Sequence, residues 1–265
     1  MPEITLSPGL SIHYLDSDPS GRLPAVVLLH GLGATAESWQ LQIPALTEAG
    51  FRSIAIDARG FGQSVYPGGK ITIAAFAQDT AHLLQHLEIP SAHVVGISMG
   101  GTTALELGCG YAQLVDKLVL VDTFARLNPP SPAGWLYFLW RFILVQTLGV
   151  ETQARAVAQH IFPHPDQAEL RQELIAQVKQ AHPKAYRGSM RALAAFNRLD
   201  CLSNITAPTL VVTGSEDTTV PLNLQRQLAE RIPGARQVII PGAGHAVTVD
   251  QPEAFNRALL DFLCS

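Results

Sequence analysis

The chain has 265 residues, 47% hydrophobic and 15% charged, enough apolar material for a sizeable core in one large domain or two small ones. Its net charge is −4 and it has no basic run, which argues against nucleic acid or an anionic membrane surface as a main partner. Three scattered cysteines (Cys109, Cys201, Cys264), none in a C-x-x-C pair, suit free thiols in a reducing, cytoplasmic setting.

The opening "MPEITLSPGLSIHYLDSD" has no cationic start and no apolar run, so no signal peptide is expected. Two strand-like runs, 3–6 and 10–15, flank a Ser-Pro-Gly turn and read as a hairpin. After them β-branched runs alternate with helical patterns. Strands are expected at 25–30, 53–57, 93–97, 117–122, 209–213 and 237–240, and helices near 36–48, 73–87, 99–109, 222–231 and 252–263. Continuous apolar strands alternating with helices imply an α/β fold, a mostly parallel central sheet with helices on both faces. On helix 73–87, Asp79, His82 and His86 fall off the apolar stripe and are expected in solvent.

The alternation stops after Asp122. Residues 124–203 hold no convincing strand, begin with "NPPSP" and read as helices broken by prolines, so a helical cap insertion is expected there, with 1–123 and 204–265 forming the core. Within it, "WLYFLWRFILVQTLGV" is interrupted by Arg141 and too short to span a bilayer comfortably, so stable membrane insertion is not expected. This aromatic run suggests Trp135, Phe138 and Trp140 as candidates for lining a substrate pocket. Arg126, Arg141 and Arg187 are cations that could hold a substrate carboxylate, although nothing in the sequence places them at a site.

Chemistry concentrates at three places. "GISMG" (residues 96–100) matches G-x-S-x-G between a strand and a helix, a tight turn that pushes Ser98 out at the carboxyl edge of the sheet. A serine hydroxyl needs a base. Of nine histidines, His245 lies in the glycine-bracketed "PGAGHAVTVDQP" after the last strand. An acid must fix its tautomer. Asp217 in "GSEDTTVP" is preferred, because Gly214 ends the strand and lets the loop turn inward; Glu216 and Asp122 stay open as alternatives. The order Ser98, Asp217, His245 is nucleophile–acid–base.

These segments, with "HGLG" at 30–33 and "DARGFGQS" at 57–64, make the sequence resemble the α/β-hydrolase superfamily over nearly its whole length. The "RGFGQS" and "GISMGG" stretches look most like small bacterial carboxylesterases, 3-oxoadipate enol-lactonases and haloperoxidase-type serine esterases. The resemblance implies that the backbone N–H groups of Leu32 and Met99 form an oxyanion hole and that 124–203 covers the site. It further implies a serine hydrolase cleaving carboxylic esters of small to medium acyl or aromatic groups, with enol-lactone hydrolysis or perhydrolase-like chemistry as alternatives. No metal or organic cofactor is expected, the partner is a small-molecule ester, and the chain is expected to be a monomer or small homo-oligomer.

Two other classes compete. "LLHGLGATA" fits G-x-G-x-x-A after a strand, with Asp57 where a ribose acid belongs, and Tyr66 and Lys70 have Y-x-x-x-K spacing, so an NAD(P) oxidoreductase is the best competing class. However, "YPGGK" cannot place both side chains on one helix face, and the class leaves Ser98, Asp217 and His245 unexplained. A non-catalytic ligand receptor on the same fold is separated by turnover, since function belongs to the site.

Overall fold

The computed structural model describes residues 2–127, 132–147 and 149–265. The side chains of 132, 133, 135, 137 and 138 lie outside this description. In chain order the elements are β1 (Glu3–Ser7), β2 (Leu10–Asp16), β3 (Ala25–Leu29), α1 (Ile43–Glu48), β4 (Arg52–Ile56), α2 (Ile73–His86), β5 (Ala92–Ile97), α3 (Met99–Gly110) and β6 (Val115–Val121). There follow α4 (Pro132–Thr147), α5 (Gly149–Ile161), α6 (Ala168–Gln180) and α7 (Pro183–Ala195), then β7 (Thr209–Gly214), α8 (Leu222–Arg231), β8 (Arg236–Ile240), α9 (Val247–Asp250) and α10 (Pro252–Leu263).

Eight strands form one sheet in the order β1-β2-β4-β3-β5-β6-β7-β8. The hairpin β1–β2 is antiparallel, β2 pairs antiparallel with β4, and every later pair is parallel. Successive side chains of a strand point to opposite faces. Val27 and Leu29 of β3 therefore join Ile54, Val94, Leu118 and Leu120 in a core on one face, with Leu83 and Leu84 of α2 and Leu105 of α3. Val26 and Leu28 join Val95, Val119 and Val121 on the other face, with Phe255 and Leu259 of α10. Burial on both faces explains why these strands read as unbroken apolar runs. Among the described residues, four α-helices, α4 to α7, lie between β6 and β7.

Three expectations need correction. The single helix expected near 36–48 is a 3-10 turn at Ala36–Trp39 followed by α1, which carries Pro44 in its first turn. Proline lacks an N–H and is tolerated in a first turn, not inside a helix. Asp79 is buried rather than solvated, because Arg59 meets it in a two-point ion pair, Nε to Oδ2 at 2.6 Å. His82 and His86 are exposed as expected.

The third correction concerns the cysteines. Cys109 at the end of α3 and Cys201 form a disulfide across 92 residues, with Cα atoms 6.0 Å apart, and Cys264 is free. The cysteines thus give no argument for a reducing compartment. Among the described residues, no helix is long and apolar enough to cross a membrane.

Candidate active site

The sharp turn from β5 to α3 sets the site. Ser98 sits at φ 55°, ψ −112°, a left-handed conformation that costs a non-glycine residue about 1–3 kcal/mol. Its neighbours over-determine it. Ser98 N–H donates to the Val121 carbonyl (2.9 Å), and the Ser98 carbonyl accepts from Thr123 Oγ1 (2.8 Å) and Thr102 N–H (3.0 Å). The flanking glycines are steric necessities. A Cβ on Gly96 would collide with the Gly100 carbonyl, and one on Gly100 with the Leu29 carbonyl.

Ser98 Oγ lies 3.0 Å from His245 Nε2, and His245 Nδ1 lies 2.9 Å from Asp217 Oδ2. His245 is 7% exposed and the Asp217 side chain 1%. Asp217 follows β7 and is held in place from both sides. Its Oδ1 accepts from the N–H groups of Thr219 (2.8 Å) and Val220 (2.9 Å), and its Oδ2 from Gln225 Nε2 (3.1 Å). The His245 loop is tied down by Asp250, which accepts from Gly244 N–H (2.9 Å) and Gln167 Nε2 (2.9 Å). Burial raises the Asp250 carboxyl above the usual range, against the hydrogen bonds from Gly244 and Gln167.

Of the alternative acids, Glu216 is exposed and its N–H donates to the Ala243 carbonyl. Asp122 is fully buried at φ 43°, and its Oδ1 accepts from Gly214 N–H (2.8 Å). Burial, reinforced by the nearby Asp217 charge, pushes the Asp122 carboxyl well above its ordinary range. Asp122, Asp217 and His245 offer ligand atoms within 4.8 Å of one another, but each already carries a hydrogen bond of this network.

Leu32 and Met99 border the same place. Met99 is the first residue of α3, where N–H groups have no intrahelical partner. The loop carrying Leu32 lies against Ser98, for a Cβ on Gly31 would sit 3.6 Å from Ser98 Cβ. His30 braces this loop. Its Nε2 accepts from Ala58 N–H (3.0 Å), so Nδ1 carries the proton and donates to the Gly31 carbonyl (2.7 Å). Burial lowers its pKa and favours this neutral form. Asp57 is buried in the same scaffold, accepting from Ala36 N–H (2.7 Å), Gln63 N–H (2.9 Å) and His13 Nδ1 (2.8 Å). These bonds occupy the carboxylate that a ribose would need.

Ser98 and His245 open into a mainly apolar cavity of about 150 Å³. Leu32 and Val220 contribute from the core, and Phe124, Val157, Phe162 and Leu193 from residues 124–203. Trp140, expected as a pocket candidate, is 48% exposed and is not among the lining residues; Arg141, one position on, is 7% exposed and lines the cavity. A step of one residue turns a helix by about 100°. The side chains of Trp135 and Phe138, the other two candidates, lie outside the described residues. Arg126 is exposed, and Arg187 lines a different cleft.

Two polar residues of the wall stand out: Arg141, which the sequence offered as one of three cations without a place, and His160, which sequence reasoning did not single out for this site. Arg141 is gripped by Gln153, whose amide oxygen, once turned toward it, accepts from Arg141 Nε at 2.8 Å. His160 lies 3.3 Å from Thr218 Oγ1, and burial, then the Arg141 charge, lower its pKa.

Comparison with known proteins agrees with this architecture. The model of the alpha/beta hydrolase fold family matches residues 24–252. A protein of Caulobacter sp. (strain K31) named "Putative carbamate hydrolase RutD" is 34% identical over 257 residues, 95% of this chain and 94% of that protein. The enol-lactonase from Burkholderia xenovorans LB400 superposes with a TM-score of 0.91 at 28% identity, covering all of both chains. A thermophilic esterase from Thermogutta terrifontis superposes with a TM-score of 0.84 at 28% identity, covering 99% of this chain and 98% of that one. The chain belongs to the alpha/beta hydrolase fold family.

Proposed function

We propose that the protein hydrolyses carboxylic esters of small to medium acyl or aromatic groups through a Ser98–His245–Asp217 triad and an acyl-enzyme. The observation that carries this is the unbroken relay from Ser98 Oγ to His245 (3.0 Å) to Asp217 (2.9 Å), opening into an apolar cavity. His245 Nε2 takes the Ser98 proton as Oγ attacks the carbonyl carbon. The N–H groups of Leu32 and Met99 donate to the developing oxyanion, each worth about 3–4 kcal/mol where such donors have been removed. His245 then protonates the leaving alcohol. Water, deprotonated by the same imidazole, attacks the acyl-enzyme and releases the acid. Asp217 stays ionised and orients His245 throughout.

Residues 124–203 act in this reading as the cap, with α4 to α7 supplying the outer wall of the cavity. A volume of about 150 Å³ is below the usual range for drug-sized ligand sites and favours short acyl groups. The buried Arg141 in that wall supports a second reading, a substrate bearing its own carboxylate, such as an enol-lactone. A carbamate, named for the Caulobacter relative, offers the same kind of carbonyl to Ser98. A p-nitrophenyl ester chain-length series run beside an enol-lactone assay tests the assignment. A steep optimum at about two to four carbons supports the first reading. Turnover of the lactone alone overturns it in favour of the second.

A further inference from the structure

A second cleft, of about 760 Å³, lies away from Ser98 where α7 meets the core. Its walls carry five cations, Lys70, Lys184, Arg187, Arg191 and Arg198, against one carboxylate, Glu106. That excess stands in a chain whose net charge is −4. Arg198 is neutralised by Glu106, with Nε to Oε2 at 2.6 Å and a terminal nitrogen to Oε1 at 2.7 Å. Among the described residues, the other four have no carboxylate within ion-pair distance.

The arrangement follows from the sequence of α7. Lys184, Arg187 and Arg191 stand at i, i+3 and i+7, one stripe of a helix, while Ala185, Tyr186 and Ser189 are buried on another. No acid interrupts the stripe. Like charges three and four apart destabilise a helix, so the stripe has an energetic cost that a bound anion would offset. Arg191 is steadied along α7 by its Nε–H, which donates to the Arg187 carbonyl (3.3 Å). Gly188 lets α7 approach the facing loop, since a Cβ there would sit 2.9 Å from Ile71 Cγ1.

The facing wall adds positive potential of its own. Ile73 and Ala74, the first two residues of the 14-residue α2, line the cleft, so the positive end of that helix faces it. Lys70 precedes them, at the end of a loop closed by Tyr66 Oη donating to the Gly69 carbonyl (2.6 Å). The Tyr66–Lys70 spacing that mimics an oxidoreductase motif thus places Lys70 opposite the α7 stripe.

We propose that this cleft binds a small multivalent organic anion, a phosphate ester or polycarboxylate, held between the α7 cations and the Lys70–α2 wall. Its volume falls within the range of small-molecule sites, and its concavity suits such a ligand better than a flat lipid surface. The inference does not depend on which ester Ser98 attacks.

The test is calorimetric titration of the full chain with pyrophosphate, ATP and citrate at low and high salt. One-site binding of at least one probe with Kd below about 1 mM, weakening as salt rises, is expected. Affinity falls at least tenfold in R187E/R191E or, should that variant fail to fold, in Lys70→Glu. Arg231→Glu on α8 is the control and binds as wild type. Absence of binding by all three probes, undiminished binding in both cleft variants, or equal loss in Arg231→Glu overturns the proposal. Binding to phosphatidylserine vesicles without binding of the small anions also overturns it.

Discussion

Asp217 and Asp122 lie in one buried cluster behind His245, yet they are engaged differently. Asp217 Oδ2 meets the His245 ring at 2.9 Å, whereas Asp122 Oδ1 accepts from the Gly214 backbone at 2.8 Å. Two adjacent carboxylates in a dry site cannot both ionise cheaply. Burial, then the Asp217 charge, raise the Asp122 carboxyl well above its ordinary range and so favour its protonated form.

The two acids should therefore separate kinetically. Asp217→Asn disrupts the tautomer of the base, and kcat is expected to fall by about 10³–10⁴. Asp122→Asn substitutes an amide for a neutral acid of similar shape, and kcat is expected to stay within about tenfold of wild type. Steady-state hydrolysis of a p-nitrophenyl ester by both variants checks this. Equal losses would mean that the cluster shares its charge.

The same proton makes stability depend on pH. The folded chain holds the Asp122 proton more tightly than the unfolded chain does. Its contribution is complete below the ordinary carboxylate pKa and is lost as pH rises through the raised folded value. Asp122→Asn removes that loss. The melting temperature of the variant minus that of wild type is expected to grow from about pH 4 to about pH 8. A flat difference across calorimetric scans would contradict a protonated Asp122.

Gly100 tests the elbow as a piece of packing. A Cβ there meets the carbonyl of Leu29 in the neighbouring strand, so Gly100→Ala must push β3 and α3 apart. A loss of about 3 kcal/mol or more, or failure to accumulate as folded protein, is expected. Chemical denaturation gives the number, and a shift under about 1 kcal/mol would show that the elbow yields.

Arg141 tests the second substrate reading. Arg141→Met should lower kcat/KM for p-nitrophenyl hydrogen succinate by about 10- to 100-fold, the range for a lost charge-assisted hydrogen bond. Hydrolysis of the neutral p-nitrophenyl butyrate should change by less than about threefold. Parallel losses on both esters would reduce Arg141 to a structural part of the cavity wall.

The parts of the site most legible in the sequence were those fixed by backbone geometry. Ser98, Asp217 and His245 each follow an apolar strand run and lie beside glycines, so their loops had to emerge at one edge of the sheet. Tertiary partners carry no such periodic mark. Asp79 lies off the apolar stripe of α2 yet is buried, because Arg59, 20 positions upstream, pairs with it. The Cys109–Cys201 pairing spans 92 residues and leaves no local trace. The cavity wall was hidden for a related reason. In α4, exposed Leu136, Leu139 and Ile143 share the helix with the buried Arg141, so hydrophobicity did not reveal which side faces inward.

The most direct test of the central claim is intact-mass and peptide-level mass spectrometry after treatment with paraoxon, an organophosphate that traps activated serines. One diethylphosphoryl group per chain, on the peptide containing Ser98, is predicted, with ester hydrolysis lost in step. Ser98→Ala should take up no label and show no hydrolysis. Labelling at another residue, or hydrolysis retained by Ser98→Ala, would contradict the account.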